Sequence, residues 1–304
     1  MPRVLHTSQA LVDMVVEVPS LPVRGDNVNA RSEERYAGGA ATILVAAART
    51  GAEAVHGGAH GTGPNGDLIR KVLTEAGVTL ADSPREDDDS GYCVVLVEPT
   101  AERSFVTVYG AERQVTAESL ARLDPRPGDL LCISGYSLFE PTRDPLLALL
   151  ESLPDGVEVV LDPGEPFASF PTELQDRVLA RTTVWTSNAA EARAITGLDD
   201  LEDTPEALRR RIGPATVVVV RDGDRGCTVF HHGRGTFIPA FPQKAVDTNG
   251  AGDTHTGTML AERALGADWE SAATRANAAA AIAVTRWGPQ SAPTRAEVDA
   301  FLDG

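Results

Sequence analysis

Val246-Asp247-Thr248-Asn249-Gly250-Ala251-Gly252-Asp253-Thr254 stands directly before a helical pattern that runs to residue 265 and stops at Gly266. Three small residues, Gly250, Ala251 and Gly252, sit where loop turns into helix. Minimal side chains let an anion approach the free backbone N–H groups of a first helical turn, where the helix dipole adds partial positive charge. A site that gathers negative charge without lysine suits phosphoryl transfer, in which positioning and charge stabilisation do most of the work. Asp253 is the odd member, because a carboxylate among anion-binding amides repels phosphate unless it has a task of its own. General base towards a substrate hydroxyl is one such task. Capping the helix is the structural alternative.

Outward from this loop, short β-branched runs alternate with Ala- and Leu-rich stretches. Strands are expected at 54–59, 92–97, 104–109, 130–134, 158–162, 183–186, 216–221 and 227–231. Helices are expected at 40–50, 66–76, 117–123, 145–152, 171–181, 188–196, 205–211, 251–265 and 269–285. From residue 130 the order is β-α-β-α-β-α, which favours a parallel sheet covered by helices on both faces. The continuous apolar run 217–220 suits a strand buried on both faces. Regions 11–36 and 92–109 break the pattern: they are strand-like, with Pro19, Pro22 and Gly25 as turns, and 98–102 reads as a hairpin turn. They predict a small antiparallel sheet projecting from the body, with Val12, Met14, Val16 and Val18 as an exposed apolar face. The acidic run 86–89 reads as a solvated loop.

Composition narrows the function classes. Of 304 residues, 27 are Lys or Arg and 44 are Asp or Glu, a formal charge of −17 that disfavours nucleic acid and anionic membranes as partners. No apolar run approaches the roughly 18 residues a membrane helix needs, and residues 1–16 lack a signal-peptide pattern. Cys93, Cys132 and Cys227 are odd in number and widely spaced, so reduced thiols and a cytoplasmic location are expected. Lys71 and Lys244 are the only lysines and neither follows a glycine, which excludes a Walker A loop. Gly61-Thr62-Gly63-Pro64-Asn65-Gly66 matches the dinucleotide fingerprint, with Asp82 as a possible ribose-binding acid. Pro64 removes one N–H donor, however, the motif lies outside an N-terminal βαβ unit, and a dehydrogenase leaves residues 247–253 unexplained. His231 and His232 are expected to be exposed, whereas His255 can face either a phosphate or the helix interior.

The run Asp247-Thr248-Asn249-Gly250-Ala251-Gly252-Asp253 resembles the C-terminal signature of the ribokinase-like (PfkB) carbohydrate kinases. Gly38-Gly39-Ala40-Ala41-Thr42, leading into a helix that ends Arg49-Thr50-Gly51, resembles the N-terminal signature. Asn188-Ala189-Ala190-Glu191 is similar to the family's Asn-x-x-Glu motif, Arg221-Asp222-Gly223-Asp224-Arg225-Gly226 to its nucleotide loop, and Ala276-Asn277-Ala278 with Thr285-Arg286-Trp287-Gly288 to its closing helix and turn. Five motifs in order, over nearly the whole chain, make this resemblance specific.

The resemblance implies a three-layer α/β/α sandwich with a mainly parallel central sheet. A small β-sheet lid would be formed by about 11–37 and 90–112, in a single domain spanning 1–304. It implies ATP-dependent phosphorylation of a hydroxymethyl group on a sugar, or on a nucleoside in some relatives, and a homodimer paired through the lid. Asp253 would be the base, with Gly250, Ala251 and Gly252 as the anion hole. Asn188 and Glu191 would organise Mg²⁺ and phosphates through water, although a capping box explains the same pair. Arg221, Gly223 and Gly226 would approach the nucleotide, and Asn277 would lie near the adenine unless it faces the core. A monovalent cation such as potassium would be held by the Asp247 side chain and the carbonyls of Asn249, Ala283, Arg286 and Gly288, unless Asp247 caps a turn. Asp13 would hold sugar hydroxyls, and Gly38 and Gly39 would pass close to the sugar while also forming a tight strand-to-helix turn. The chain departs from the family pattern in three places. Ile43 stands where many members have Asn, Ser8-Gln9 replaces an early glycine, and Arg221 replaces a frequent Thr. These departures bear on the acceptor more than on the phosphoryl-transfer loop. A binding protein that kept the fold and lost catalysis is disfavoured by the intact Asp253.

Overall fold

Four consecutive valines, 217–220, show how the molecule is layered. Val217 and Val219 join one apolar cluster with Leu44, Met259, Leu260 and Ala273. Val218 and Val220 join another with Leu146, Leu150, Val178 and Trp185. Side chains that alternate along a strand thus feed two cores, one on each face of the sheet. Burying each valine is worth roughly 1.5–3 kcal/mol.

The computed structural model describes residues 1–100 and 102–304. The first half comprises β1 (Val4–His6), β2 (Ala10–Glu17), β3 (Ser32–Gly39), α1 (Ala40–Thr50), β4 (Ala54–His56), α2 (Pro64–Glu75), β5 (Thr79–Leu80), β6 (Tyr92–Val97), β7 (Arg103–Val108), α3 (Ala117–Ala121), β8 (Leu130–Ser134) and α4 (Arg143–Ser152). The second comprises β9 (Glu158–Asp162), α5 (Thr172–Leu179), β10 (Val184–Asn188), α6 (Ala189–Thr196), α7 (Thr204–Ile212), β11 (Val217–Arg221), β12 (Gly226–His231), β13 (Arg234–Pro239), α8 (Ala251–Ala264), α9 (Trp269–Ala283) and α10 (Arg295–Asp303).

Nine strands form the large sheet in the order β13-β12-β11-β10-β9-β8-β1-β4-β5. Pairing is parallel from β5 to β11 and antiparallel at β11–β12 and β12–β13. Helices α1, α2, α8 and α9 cover one face and α3 to α7 the other, giving the expected α/β/α sandwich. Among the described residues, no helix is long and apolar enough to cross a membrane. The expected strand 54–59 ends at His56, because Gly57 and Gly58 pack their backbones against Leu123 and Ser8. Helix α2 begins at Pro64, two residues early, since proline is at home in a first helical turn. Strands β1, β5 and β13 and helix α10 were not among the expected elements; β13 carries only one buried residue, Ile238, and so shows no alternation.

The small sheet has the order β3-β2-β6-β7. Its two pairs β2–β3 and β6–β7 are antiparallel, as expected, but the seam between them, β2 to β6, is parallel. A parallel seam needs a long crossover, and α1, β4, α2 and β5 supply it. The expected exposed apolar face is corrected. Val12 and Val18 are buried, Val12 in the apolar cluster that includes Leu44, Ile69 and Leu73, while Met14 and Val16 are half-buried. The exposed apolar surface lies on the edge strand β7 and just beyond it, at Phe105, Val106, Val108 and Tyr109. Glu98 N–H donates to the Glu102 carbonyl at 3.0 Å across the expected 98–102 turn; Ala101 lies outside the described residues.

In the acidic run 86–89, Glu86, Asp87 and Asp88 are exposed as expected, and only Asp89 departs from a solvated loop. Asp89 is a helix cap: its Oδ2 accepts Asn65 N–H at 3.1 Å and its Oδ1 accepts Gly66 N–H at 2.8 Å, at the start of α2. Asp82 is buried and paired with Arg85 and Arg122, each at 2.7 Å. The Gly61–Gly66 fingerprint is therefore spent on the chain's own carboxylate, and its expected acid on two arginines.

Candidate active site

The C-terminal ends of β9, β10 and β11 converge beside the N-terminus of α8, the usual place for a site in an open α/β sheet. Asp162 ends β9 opposite Ser134, and Asn188 ends β10 opposite Arg221. Gly250 precedes α8 with a left-handed φ of 73°, and a Cβ there would lie 2.7 Å from the Pro289 carbonyl oxygen. Glycine meets both demands. Ala251 N–H donates to the Thr248 carbonyl at 3.3 Å, a long bond. The amides of Gly252 and Asp253 have no acceptor among the described residues, and no side chain caps this helix. A Cβ at Gly252 would meet only the Arg221 guanidinium, 3.7 Å away.

Asp253 is half-buried and makes no hydrogen bond among the described residues, so it does not cap the helix. Burial pushes its pKa up to about 7, the neighbouring Asp162 carboxylate adds to the rise, and Arg221 opposes it. Asp13 and Glu191 contribute smaller upward pushes. Asp162 was missed by sequence reasoning. Its signal was an Asp at the end of a strand in a parallel sheet. Arg221 holds the centre: its Nη1 donates to Thr186 Oγ1 at 2.6 Å and Thr256 Oγ1 at 2.9 Å, and its Nη2 stands 3.7 Å from Asp162 Oδ2.

Asn188 and Glu191 form the reciprocal cap that was their structural alternative. Glu191 N–H donates to Asn188 Oδ1 at 2.8 Å, and Asn188 N–H to Glu191 Oε2 at 2.9 Å. Glu191 Oε1 has no partner among the described residues, and a cleft of about 480 Å³ lies alongside, also lined by Gly164 and Glu165. Burial and Asp162 raise the Glu191 pKa. Two clustered acids with oxygens to spare, Asp162 and Glu191, are a donor set suited to a hydrated Mg²⁺.

Other residues expected at the nucleotide also make contacts within the chain. Gly223 and Gly226 shape the β11–β12 turn, where Asp222 N–H donates to Gly226 O at 2.8 Å. Of the two roles open to Asn277, the geometry shows the core-facing one. It is buried, and its amide donates to the carbonyls of Ile238 at 3.1 Å and Pro239 at 3.2 Å. His255 is buried with neither ring nitrogen bonded, and burial lowers its pKa to about 3. His232 is exposed and His231 half-buried.

On the acceptor side, Asp13 lies on β2 against Gly38, where any Cβ would overlap its carboxylate. Burial raises the Asp13 pKa to about 6. Gly39 opens α1 with φ 61°, and a Cβ there would sit 2.6 Å from the Gln9 carbonyl oxygen. Ile43 is buried in α1, and its carbonyl touches Gly257 of α8 so closely that a Cβ would overlap it. This contact packs α1 directly against α8.

Two of the five expected cation ligands, the Asp247 side chain and the Ala283 carbonyl, already accept hydrogen bonds within the chain. Asp247 Oδ1 accepts Asn249 N–H at 2.9 Å and Arg103 Nη2 at 2.7 Å, and its Oδ2 accepts Gly288 N–H at 3.1 Å. The Ala283 carbonyl accepts Arg286 N–H at 3.0 Å. One carboxylate already holds three N–H donors, one of them charged, so the single charged ligand of the expected set is not free for a monovalent cation, while the carbonyls of Asn249, Arg286 and Gly288 accept no hydrogen bond among the described residues. Arg103, on β7, is a second residue that sequence reasoning missed.

The pfkB family carbohydrate kinase profile matches residues 1–295. The chain is 34% identical over 299 residues to an uncharacterized sugar kinase, YegV, of Escherichia coli (strain K12), covering 97% of this chain and 92% of that protein. It is 27% identical to a ribokinase of Haemophilus influenzae over 96% of this chain and 95% of the relative. A fructokinase of Vibrio cholerae O395, solved with fructose, ADP and calcium ion bound, superposes with a TM-score of 0.82 over 99% of each chain at 26% identity. With this fold, this order of motifs and a profile match across nearly its whole length, the chain belongs to the pfkB carbohydrate kinase family.

Proposed function

We propose that this kinase transfers the γ-phosphate of ATP to a hydroxymethyl group of a sugar, with Asp253 as general base. The observation that carries this is an unpaired carboxylate, raised to a pKa of about 7, in the first turn of a helix whose Gly252 and Asp253 amides are free. A base with that pKa is about half ionised at neutral pH, and it is basic enough to draw a proton as the hydroxyl attacks. The migrating phosphoryl meets the open amides, and Arg221 beneath them supplies the positive charge that lysine provides in other phosphate loops. Asp162 and Glu191 would hold a hydrated Mg²⁺, which would screen the phosphate charge. Asp13 orients the sugar through its hydroxyls.

The small sheet of β2, β3, β6 and β7 serves as the lid, built from about 11–37 and 90–112, on a body made by the rest of a single 1–304 domain. Closure excludes water, the competing phosphoryl acceptor. The exposed apolar residues of β7 make the lid edge the face through which two copies pair, a state sedimentation velocity reads directly. An ADP-release screen with Mg-ATP over free sugars and nucleosides tests the function. Turnover on a sugar supports it, turnover confined to nucleosides moves the acceptor class, and turnover on neither removes the reading.

A further inference from the structure

We propose that Arg103, carried on the lid, supplies the positive charge beside the anion hole that a bound monovalent cation would otherwise provide, so this chain works without added potassium. The pair is close and sheltered: Arg103 Nη2 lies 2.7 Å from Asp247 Oδ1, with the two side chains 21% and 11% exposed. Arg103 Nη1 also donates to Thr248 Oγ1 at 3.2 Å, so the guanidinium bridges two successive residues of the phosphate-receiving loop. The remaining Asp247 contacts, Asn249 N–H and Gly288 N–H, hold that loop to the closing turn after α9. A guanidinium is always charged, and one fixed on the neighbouring strand competes for Asp247 at a high effective concentration. A potassium ion would have to displace it or lie beside a like charge.

The arrangement also links lid and loop. Arg103 leads strand β7 immediately after the 98–102 turn, so the pair ties the tip of that hairpin to the residues just before α8. A cleft of about 250 Å³ opens beside it, lined by Glu17, Arg31, Glu98 and Trp287 among others. Arg103 is thus a positioning residue: through Asp247 it sets the loop that presents the Gly250–Gly252 amides. The inference rests on that loop being the phosphate-receiving one.

The test uses the full chain in choline chloride, with KCl replacing it at constant ionic strength, and reads both melting temperature and Mg-ATP turnover. For the natural chain we expect neither readout to move, turnover staying within about twofold up to about 0.1 M KCl. Arg103→Ala frees the carboxylate. It should lose about tenfold in kcat/KM in choline, regain most of that in KCl, and gain a KCl-dependent rise in melting temperature that the natural chain lacks. Arg103→Lys should keep most activity without KCl. A natural chain activated several-fold and stabilised by KCl overturns the proposal, as does an Arg103→Ala variant indifferent to KCl in both readouts. Should no acceptor be phosphorylated, the reading of the loop falls, while the melting data still decide whether Arg103 holds the cation's place.

Discussion

Two glycine-rich junctions in this molecule look alike in sequence and do opposite things. At Gly61–Gly66 the start of α2 receives the chain's own Asp89, whose carboxylate takes two amides of the first turn. At Gly250–Gly252 the start of α8 receives no side chain, and the nearby carboxylate, Asp253, stays unpaired. A helix N-terminus is an anion site in either case. Whether it serves structure or a ligand depends on whether an internal carboxylate reaches it first.

The largest expected effect separating the junctions is at Asp253. Asp253→Asn should lower kcat by about 10²–10⁴-fold while leaving ATP affinity in calorimetry largely intact, the loss typical of a removed general base. Gly250→Val should come next. Its Cβ collides with the Pro289 carbonyl and its left-handed φ excludes a β-branched residue, so turnover should fall by about a hundredfold with the fold kept by circular dichroism.

The pH dependence is a smaller effect of known sign. Below about 7 the Asp253 carboxylate takes up a proton and loses its basic form, so kcat/KM should drop about tenfold per pH unit and level off above. Asp13, raised to about 6, steepens the acid limb. Stability runs the other way. The folded chain binds the Asp253 proton more tightly than the unfolded chain does, so this favourable contribution is present below the ordinary value of 3.8 and is lost as pH rises to about 7. Asp253→Asn should therefore melt higher than the natural chain at pH 8, with the gain vanishing near pH 3.8. A pH-independent difference in melting would break the assignment of the shift to this carboxylate.

Asp89→Ala sits at the small end of the scale. It removes a cap and should cost about 1 kcal/mol, a melting temperature lower by a few degrees, with kcat unchanged. If Asp89→Ala instead abolished turnover while leaving melting alone, the contrast between the two junctions would be reversed.

How much was legible follows the same division. Helix 40–50, strands 92–97, 130–134 and 158–162, and the loop before α8 stand where the sequence placed them, because apolar period and glycine positions are written within ten or so residues. The Asn188/Glu191 pair was legible as a cap for the same reason. Other features were not. Val12 and Val18 were read as part of an exposed face, but their exposure depended on what packs against that face, and Val12 joins the core beneath α1 and α2. Asp162 and Arg221 give no motif signal for meeting; parallel register brings the ends of β9 and β11 together beside α8.

The sequence alone determined a two-sided parallel α/β body and an amide-rich helix start with an adjoining carboxylate, since both arise from local backbone preferences and side-chain periodicity. Only the tertiary structure decided which helix start stays open, which acids raise the pKa of Asp253, and that Arg103 reaches Asp247 across 144 residues of chain. Charge contacts of that kind are set by strand order and closure, and no stretch of sequence short enough to read as a pattern contains both partners.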